Sequence, residues 1–387
     1  MSPADSLSLR ADLGTVQRAV RAGVVSSRDR SAQTHWKQWT TFCISLGLDD
    51  LLSEVDDKVP LLQIFGARYR DGRLAPRQKS VRSRTVEDAL RSVGQTFARL
   101  GAHDPRKDHT GDTDFRLARQ LRSYTKADPP AHRVKPLPIQ IVHHVLAAAL
   151  GVAVLAAAGT IAVADMIVIA FFFLLRPGEY TGTATDDTPF RLADITLFLG
   201  ARRIHSPALL TAPDTNLAAA TGVSLTFTTQ KNGVKGEVVF HGRSGHLLAC
   251  PVRAIVRRIL HHRAHRSPLD TPLASYYERG RLRHVAAADI TSALRLSVQA
   301  IGLPLGLLPS DISARSMRAG GAMALLCARV DQNIIQLLGR WRSDEMMRYL
   351  HLQAQPIMKD FSRLMLEGGS YSLVPGQNIP LEPVPVH

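Results

Sequence analysis

The sequence predicts a mainly α-helical fold with a small β-hairpin or sheet (α+β), and three observations carry that expectation. Apolar residues recur at spacings of three and four through much of the 387-residue chain, the period of a helix face. β-like sequence interrupts this pattern once, at "VSLTFTTQKNGVKGEVVF". A proline-rich stretch, "TKADPPAHRVKPLP", separates two halves, each long enough to bury its own core. With 45% hydrophobic and 21% charged residues, the composition is that of a folded globular protein.

Residues 1–26 read as a flexible basic arm, and "MSPADSLSLRADLG" lacks the apolar core of a secretory signal. From Ser27 the pattern turns helical, with Trp36, Trp39 and Cys43 on one face. The clearest helix is "TVEDALRSVGQTFARLG", where Val86, Leu90, Val93, Phe97 and Leu100 form one stripe. Thr85 with Asp88 predicts a capping box at its start. Just ahead, "RQKSVRSR" sets Arg77, Lys79, Arg82 and Arg84 at the helix N-terminus, where free amides favour a phosphate. Residues 27–124 are thus expected to form a helical domain, followed by a linker at 125–138.

A larger domain, 139–368, follows, and then a Pro-rich tail, 369–387. Val145 to Ala164 carry no charge, and the apolar run resumes as "MIVIAFFFLL". Its length would suit a membrane span, but the first part is mostly Ala and Gly and the second runs straight into Arg176. Two buried helices of a large core are expected instead, and no membrane association. In the β-like stretch, two runs flank Asn232-Gly233, the pair favoured in two-residue type I′ turns. Lys231 precedes that turn and Lys235 follows it. No internal repeat is visible.

The formal net charge of +15 points to a polyanionic partner, nucleic acid above all. The cations are dispersed through periodic segments, which predicts a folded basic surface. Cys43, Cys250 and Cys327 are widely spaced and odd in number, which fits a reducing compartment and no disulfide framework. Zinc-protease, CxxC, phosphate-loop and nucleophile-elbow motifs are absent. His261, His262 and His265 have helical spacing but no neighbouring Cys, Asp or Glu, and read as a basic helix face. Neither a metal nor a cofactor is expected.

What remains is a set of separated pieces. "FFFLLRPGEY" ends an apolar segment at Arg176, a permanently charged fork suited to a phosphate, with Glu179 placed to hold it. "SARSMRAGGAMALL" supplies Arg318 before Gly320-Gly321, small residues that permit close packing or close approach of a ligand. "GRWRSDEMMRYLH" predicts a helix capped by Ser343, with Tyr349 about two turns in. Two fixed arginines, a lysine at a hairpin tip and a tyrosine suffice for metal-free phosphoryl transfer. The arginines neutralise the nonbridging oxygens, the tyrosine attacks, and the lysine protonates the leaving oxygen.

These residues resemble the tyrosine recombinases. Arg176-Pro-Gly-Glu179, Met317-Arg318-Ala-Gly-Gly, and Leu338-Gly-Arg-Trp with a tyrosine ten residues after the glycine carry the resemblance. The run "RAGGAMALL…IIQLLGRWRSDEMMRYLH" is most similar to recombinases of eukaryotic mobile elements, the Crypton and DIRS-like kinds. The resemblance is specific from about Asp165 to Leu352 and covers only architecture before that. It implies a DNA-clamping domain and a tyrosine-recombinase catalytic domain closing around double-stranded DNA. It also implies a 3′-phosphotyrosyl intermediate, a tetramer on paired DNA sites and a nuclear location.

By position, Arg176 and Arg318 become the phosphate-binding arginines, Glu179 the acidic residue beside the first, and Tyr349 the nucleophile. Lys231 becomes the hairpin lysine, with Lys235 the alternative. Arg340 fills the slot where many relatives have His or Trp, and either it or Trp341 is expected to buttress the phosphate. Tyr180 is the next tyrosine candidate. One departure stands out: the family's HxxR box reads Arg315-Ser-Met-Arg318. Arginine cannot accept the tyrosine proton, since its pKa exceeds about 12. An inactive, DNA-binding copy and a type IB topoisomerase-like enzyme are the rival readings.

Overall fold

In the computed structural model the described residues are 26–341, apart from 131–133, 152–156, 183–188 and 229–235, with a few positions between 12 and 23. The chain forms two compact units that divide between Ala131 and His132.

The first unit is built from α1 (Ser26–Ile44), α2 (Val59–Arg70), α3 (Ser83–Arg99) and α4 (Phe115–Ala127). The predicted stripe is its core: Val86, Leu90, Val93 and Phe97 of α3 are buried against Trp39, Phe42 and Cys43 of α1. Leu100, the last member of that stripe, is exposed just past the end of α3. Trp39 meets Phe65 edge-to-face at 5.2 Å, and its indole NH donates to the Asp50 carbonyl at 2.7 Å. Each such buried ring contributes roughly 1.5–3 kcal/mol.

The start of α3 differs from the expected capping box. The helix begins at Ser83, and Asp128, just beyond α4, caps it from a distance. One Asp128 oxygen accepts from the Ser83 amide at 3.0 Å and from its hydroxyl at 2.6 Å, while Arg70 donates to the other. A carboxylate of the protein therefore occupies the anion position that the 77–84 cations suggested for a phosphate. The 125–138 linker is shorter than expected, because Thr125 to Ala127 finish α4 and α5 begins at Ile139.

The second unit is organised around one apolar helix. Its helices are α5 (Ile139–Leu150), α6 (Ala158–Phe172), the single turn α7 (Pro177–Tyr180), α8 (Asp214–Ala218), α9 (Pro251–Ala264), α10 (Ala287–Ile301), α11 (Ser316–Cys327) and α12 (Gln332–Gly339). α6 is covered by α5, α9, α10 and α11, so every residue from Ala164 to Phe171 is buried. α5 and α6 are the two core helices expected from the uncharged stretch. No helix among the described residues is long and apolar enough to cross a membrane. Asp165, fully buried in α6, is paired with Arg257 of α9.

The sheet is larger than the one hairpin expected. β1 (Ile195–Leu199), β2 (Arg202–His205), β3 (Gly222–Phe227) and β4 (Glu237–Gly242) form an antiparallel sheet in the order β2-β1-β3-β4. β5 (Ser275–Glu278) and β6 (Arg281–His284) make a separate two-stranded ribbon. β3 and β4 are the predicted hairpin, but Phe227 faces Glu237. A two-residue turn at Asn232-Gly233 would set Phe227 opposite Val238, so the strands are one residue out of step with it. Lys231, Lys235 and the turn itself lie outside the described residues.

Candidate functional site

The separated arginine motifs meet at the C-terminal end of α6. That helix stops with Leu174 in the left-handed region, φ +50. The Leu175 amide reaches back to the Ala170 carbonyl at 3.0 Å, closing a Schellman turn. A leucine there costs about 1 kcal/mol relative to a glycine. The turn leaves the Phe173 and Leu174 carbonyls without helical partners, at the negative end of the helix dipole.

Two guanidinium groups from distant sequence fill that position. Arg318 of α11 donates to the Leu174 carbonyl at 2.8 Å and to the Gly339 carbonyl. Arg340 donates to Phe173 O at 3.3 Å, Leu174 O at 3.2 Å and Leu338 O at 2.9 Å. It reaches them because α12 ends in the same kind of turn. Arg340 has φ +57, its amide bonds Leu337 O at 2.9 Å, and the Trp341 amide bonds Gln336 O at 3.0 Å. The left-handed residue turns its side chain inward, over the Phe227 ring at 3.9 Å. Burial lowers the Arg340 pKa to about 10, against the opposing pull of Glu179; at neutral pH it stays charged.

Glu179 joins this buried layer to an accessible arginine. Arg176 caps the turn α7: its amide donates to Glu179 Oε2 at 2.8 Å and its guanidinium to Oε1 at 3.0 Å. Arg340 reaches Oε2 at 3.4 Å. Side-chain exposure grades from 3% at Arg340 through 10% at Glu179 to 32% at Arg176. Glu179 does hold Arg176, as its position three residues on suggests.

Arg340 and Trp341 have separate structural tasks. Arg340 faces carbonyls and Glu179, while Trp341 stacks on Arg318 with the guanidinium carbon 4.1 Å from the ring. Gly339 is required by that stack, because a Cβ there would overlap the indole. Gly320 and Gly321 likewise let α11 lie directly against the backbone at Leu137 and Phe171. They serve packing.

Arg315 is exposed at the start of α11, one turn ahead of Arg318. Its neighbour Ala314 accepts the Tyr180 hydroxyl at 2.6 Å, which ties the Arg176 turn to the Arg315 segment. Tyr180 itself is fully buried, and burial pushes its hydroxyl well above the usual range. That removes it as a candidate nucleophile. Tyr349 and the helix expected from Ser343 lie outside the described residues. The strand ends flank Arg340: Phe227 lies under its guanidinium, and the Glu237 charge partly opposes the lowering of its pKa by burial.

Two of the three histidines, His261 and His262, are not part of the basic face that the spacing suggested, while His265, just past α9, is exposed. Burial first, and then the Arg258 charge, lower His261 to about 4 and His262 to about 3. His261 accepts the Tyr277 amide at 3.0 Å, and His265 stacks on Tyr277 at 4.5 Å. Among the described residues no cluster of side chains is arranged to hold a metal ion. Sequence reasoning missed His241, whose ring packs edge-on against Phe173 at 4.6 Å and whose pKa is lowered by burial. A lone histidine in a strand gives no sign of a helix terminus beneath it.

No family model and no curated protein matches the chain. Among solved structures it is similar to the Tn1549 transposon integrase in complex with transposon right end DNA, at 14% identity, covering 81% of this chain and 86% of that one, with a TM-score of 0.44. It is also similar to the XerH site-specific recombinase bound to palindromic difH substrate, at 14% identity over 80% of this chain and 73% of that one, TM-score 0.49. A third is the XerA recombinase, at 12% identity over 86% and 98% of the two chains, TM-score 0.36.

Proposed function

We propose that this protein cleaves and rejoins double-stranded DNA as a site-specific recombinase or integrase of the tyrosine class. One observation carries the reading: Arg176, Glu179, Arg318, Arg340 and Trp341, drawn from three separate motifs, converge on one helix end. Arg176, the most exposed of the three arginines, and exposed Arg315 are the cations offered to a phosphate. Arg318 and Arg340, fixed by carbonyls, supply a positive field that needs no reorganisation during the reaction.

In the proposed reaction the Tyr349 oxygen attacks phosphorus, forming the 3′-phosphotyrosyl bond as the bond to the 5′-oxygen breaks. Lys231, or Lys235 in its place, gives that oxygen its proton. Arg315 cannot take the tyrosine proton and acts on charge alone, so Tyr349 loses that proton to solvent and attacks as the phenolate. Pairing of two sites would use a tetramer, and a nuclear location rests only on the sequence resemblance to the Crypton and DIRS-like kinds.

The test is a nicked suicide duplex trapped as a covalent adduct, with the attachment residue identified by mass spectrometry. Attachment at Tyr349, and loss of the adduct with retained binding in Tyr349→Phe, is the expected result. Attachment elsewhere overturns the assignment. A second reading, a DNA-binding protein that does not cleave, is favoured by one observation: Arg318 is only 4% exposed and donates to two carbonyls. Tight duplex binding with no adduct on any substrate would select it. Relaxation of supercoiled DNA without two-site recombination would select a topoisomerase-like enzyme.

A further inference from the structure

The four-stranded sheet ends on β4, which has no strand on its outer side among the described residues. Gly222 faces Gly242, and the next pair is joined by the Arg243 amide bonding the Thr221 carbonyl at 3.1 Å. Odd-numbered residues of β4 therefore bond to β3, and the amides and carbonyls of Val238, Phe240 and Gly242 point outward. Val238 and Phe240 are also exposed, 58% and 54%. Edge strands are commonly blunted by lysine or proline, and neither occurs from Glu237 to Gly242. The Phe240 ring lies over Gly222, where a Cβ would meet it at 2.5 Å, and packs edge-to-face on Phe198 at 5.2 Å.

We infer that this edge is a self-association surface whose partner is β4 of a second copy of the chain. An antiparallel pair about a two-fold axis at Phe240 sets Phe240 against its own counterpart. It sets Val238 against Gly242 of the partner subunit, and Glu237 against Arg243 of the partner subunit. Two features match at once. The outward-facing amides and carbonyls fall on the narrow, hydrogen-bonded pairs, and Val238 meets a residue with no side chain. Arg243 adds no cross-strand ion pair, because the Ala220 and Ala218 carbonyls of its own chain hold its guanidinium. Shifting the register by one step in either direction loses the match of Val238 to Gly242. The pairing is isologous and closes after two copies. It joins two four-stranded sheets into one and does not depend on the DNA reading.

Sedimentation velocity of the full chain without DNA, over a wide concentration range, should show a monomer–dimer equilibrium. Val238→Lys and Phe240→Lys should each weaken it about tenfold or more, the effect of losing about 1.4 kcal/mol. Phe240→Leu, which keeps the edge apolar, should retain it, and circular dichroism checks that each variant is folded. The register has its own test. Val238→Cys combined with Gly242→Cys should form an interchain disulfide, since a narrow pair sets the Cα atoms about 5.5 Å apart. Within one strand these positions are about 13 Å apart and cannot bridge. A monomer at every concentration, or a dimer indifferent to both lysines, overturns the inference. So does a lysine variant that loses only binding to single-stranded oligonucleotide, which would make the face a nucleic-acid platform.

Discussion

Replacing Gly339 by alanine adds one methyl group and should destabilise the second unit by about 3 kcal/mol. The added Cβ overlaps the six-membered ring of Trp341, an indole 8% exposed that carries the Arg318 guanidinium at 4.1 Å. A small shift does not relieve the overlap, because the Trp341 amide is held by Gln336 O and Arg340 by the Phe173 and Leu174 carbonyls. The indole has to leave its seat. Truncating a buried tryptophan costs about 3–5 kcal/mol, and the cation–π contact is about 1–2 kcal/mol of that; partial resettling brings the expectation to about 3. Urea unfolding followed by tryptophan emission measures it. With a slope near 3 kcal/mol/M the midpoint should fall by about 1 M. The folded emission should also shift red through Trp341, since Trp36 and Trp39 belong to the other unit. In a Trp341→Ala background the obstructing ring is gone. There Gly339→Ala should be neutral or stabilise by up to about 1 kcal/mol, because alanine favours helix over glycine. Equal cost in both backgrounds, or no cost in either, would refute the argument.

Three further expectations concern other parts of the molecule. Asp128→Ala should lower the thermal midpoint of the first unit more than Asp88→Ala; the reverse order would return the α3 cap to Thr85 and Asp88. Hydrogen bonds from Ser83 hold the Asp128 carboxyl below the usual range, so its contribution is present above that range and disappears as pH falls through the folded value. His262 is lowered to about 3 by burial and then by Arg258. The unfolded chain therefore takes up the proton first, and stability falls from about pH 6.5 downward by up to about 1.4 kcal/mol per pH unit. His262→Gln should flatten that slope in acid titrations of the unfolding midpoint, and an unchanged slope would place the sensitivity elsewhere. With Arg315 unable to accept a proton, DNA cleavage should rise toward alkaline pH, and Arg315→His should move the rise toward neutrality. Full neutral-pH cleavage by the wild type, with a slower Arg315→His, would refute the dependence on unaided tyrosine ionisation and leave Arg315 with the phosphate alone.

The sequence by itself determined what depends on neighbours in the chain. Three- and four-residue spacing placed Val86, Leu90, Val93 and Phe97 on one buried face, and Trp39 and Cys43 on another. Charge-free runs before Arg176 marked the two core helices α5 and α6, and Glu179, three residues after Arg176, was legible as its anchor. The tertiary structure decided everything that needed a partner far away. Asp128 caps α3 from 45 residues on, and no local pattern announces a cap from another helix. The strands β1, β2, β5 and β6 were missed because pairing makes them strands, whereas their short runs carry little periodicity. The α9 histidines read as cationic until burial among Arg258 and Tyr277 held two of them neutral. Arg318 and Arg340 were visible as charges, but what they bind was not. Among their partners are main-chain carbonyls at the end of α6, 144 and 166 residues away, and carbonyls have no letter in a sequence. They are exposed there only because Leu174 ends its helix in a left-handed turn, a strain that packing of the whole unit maintains.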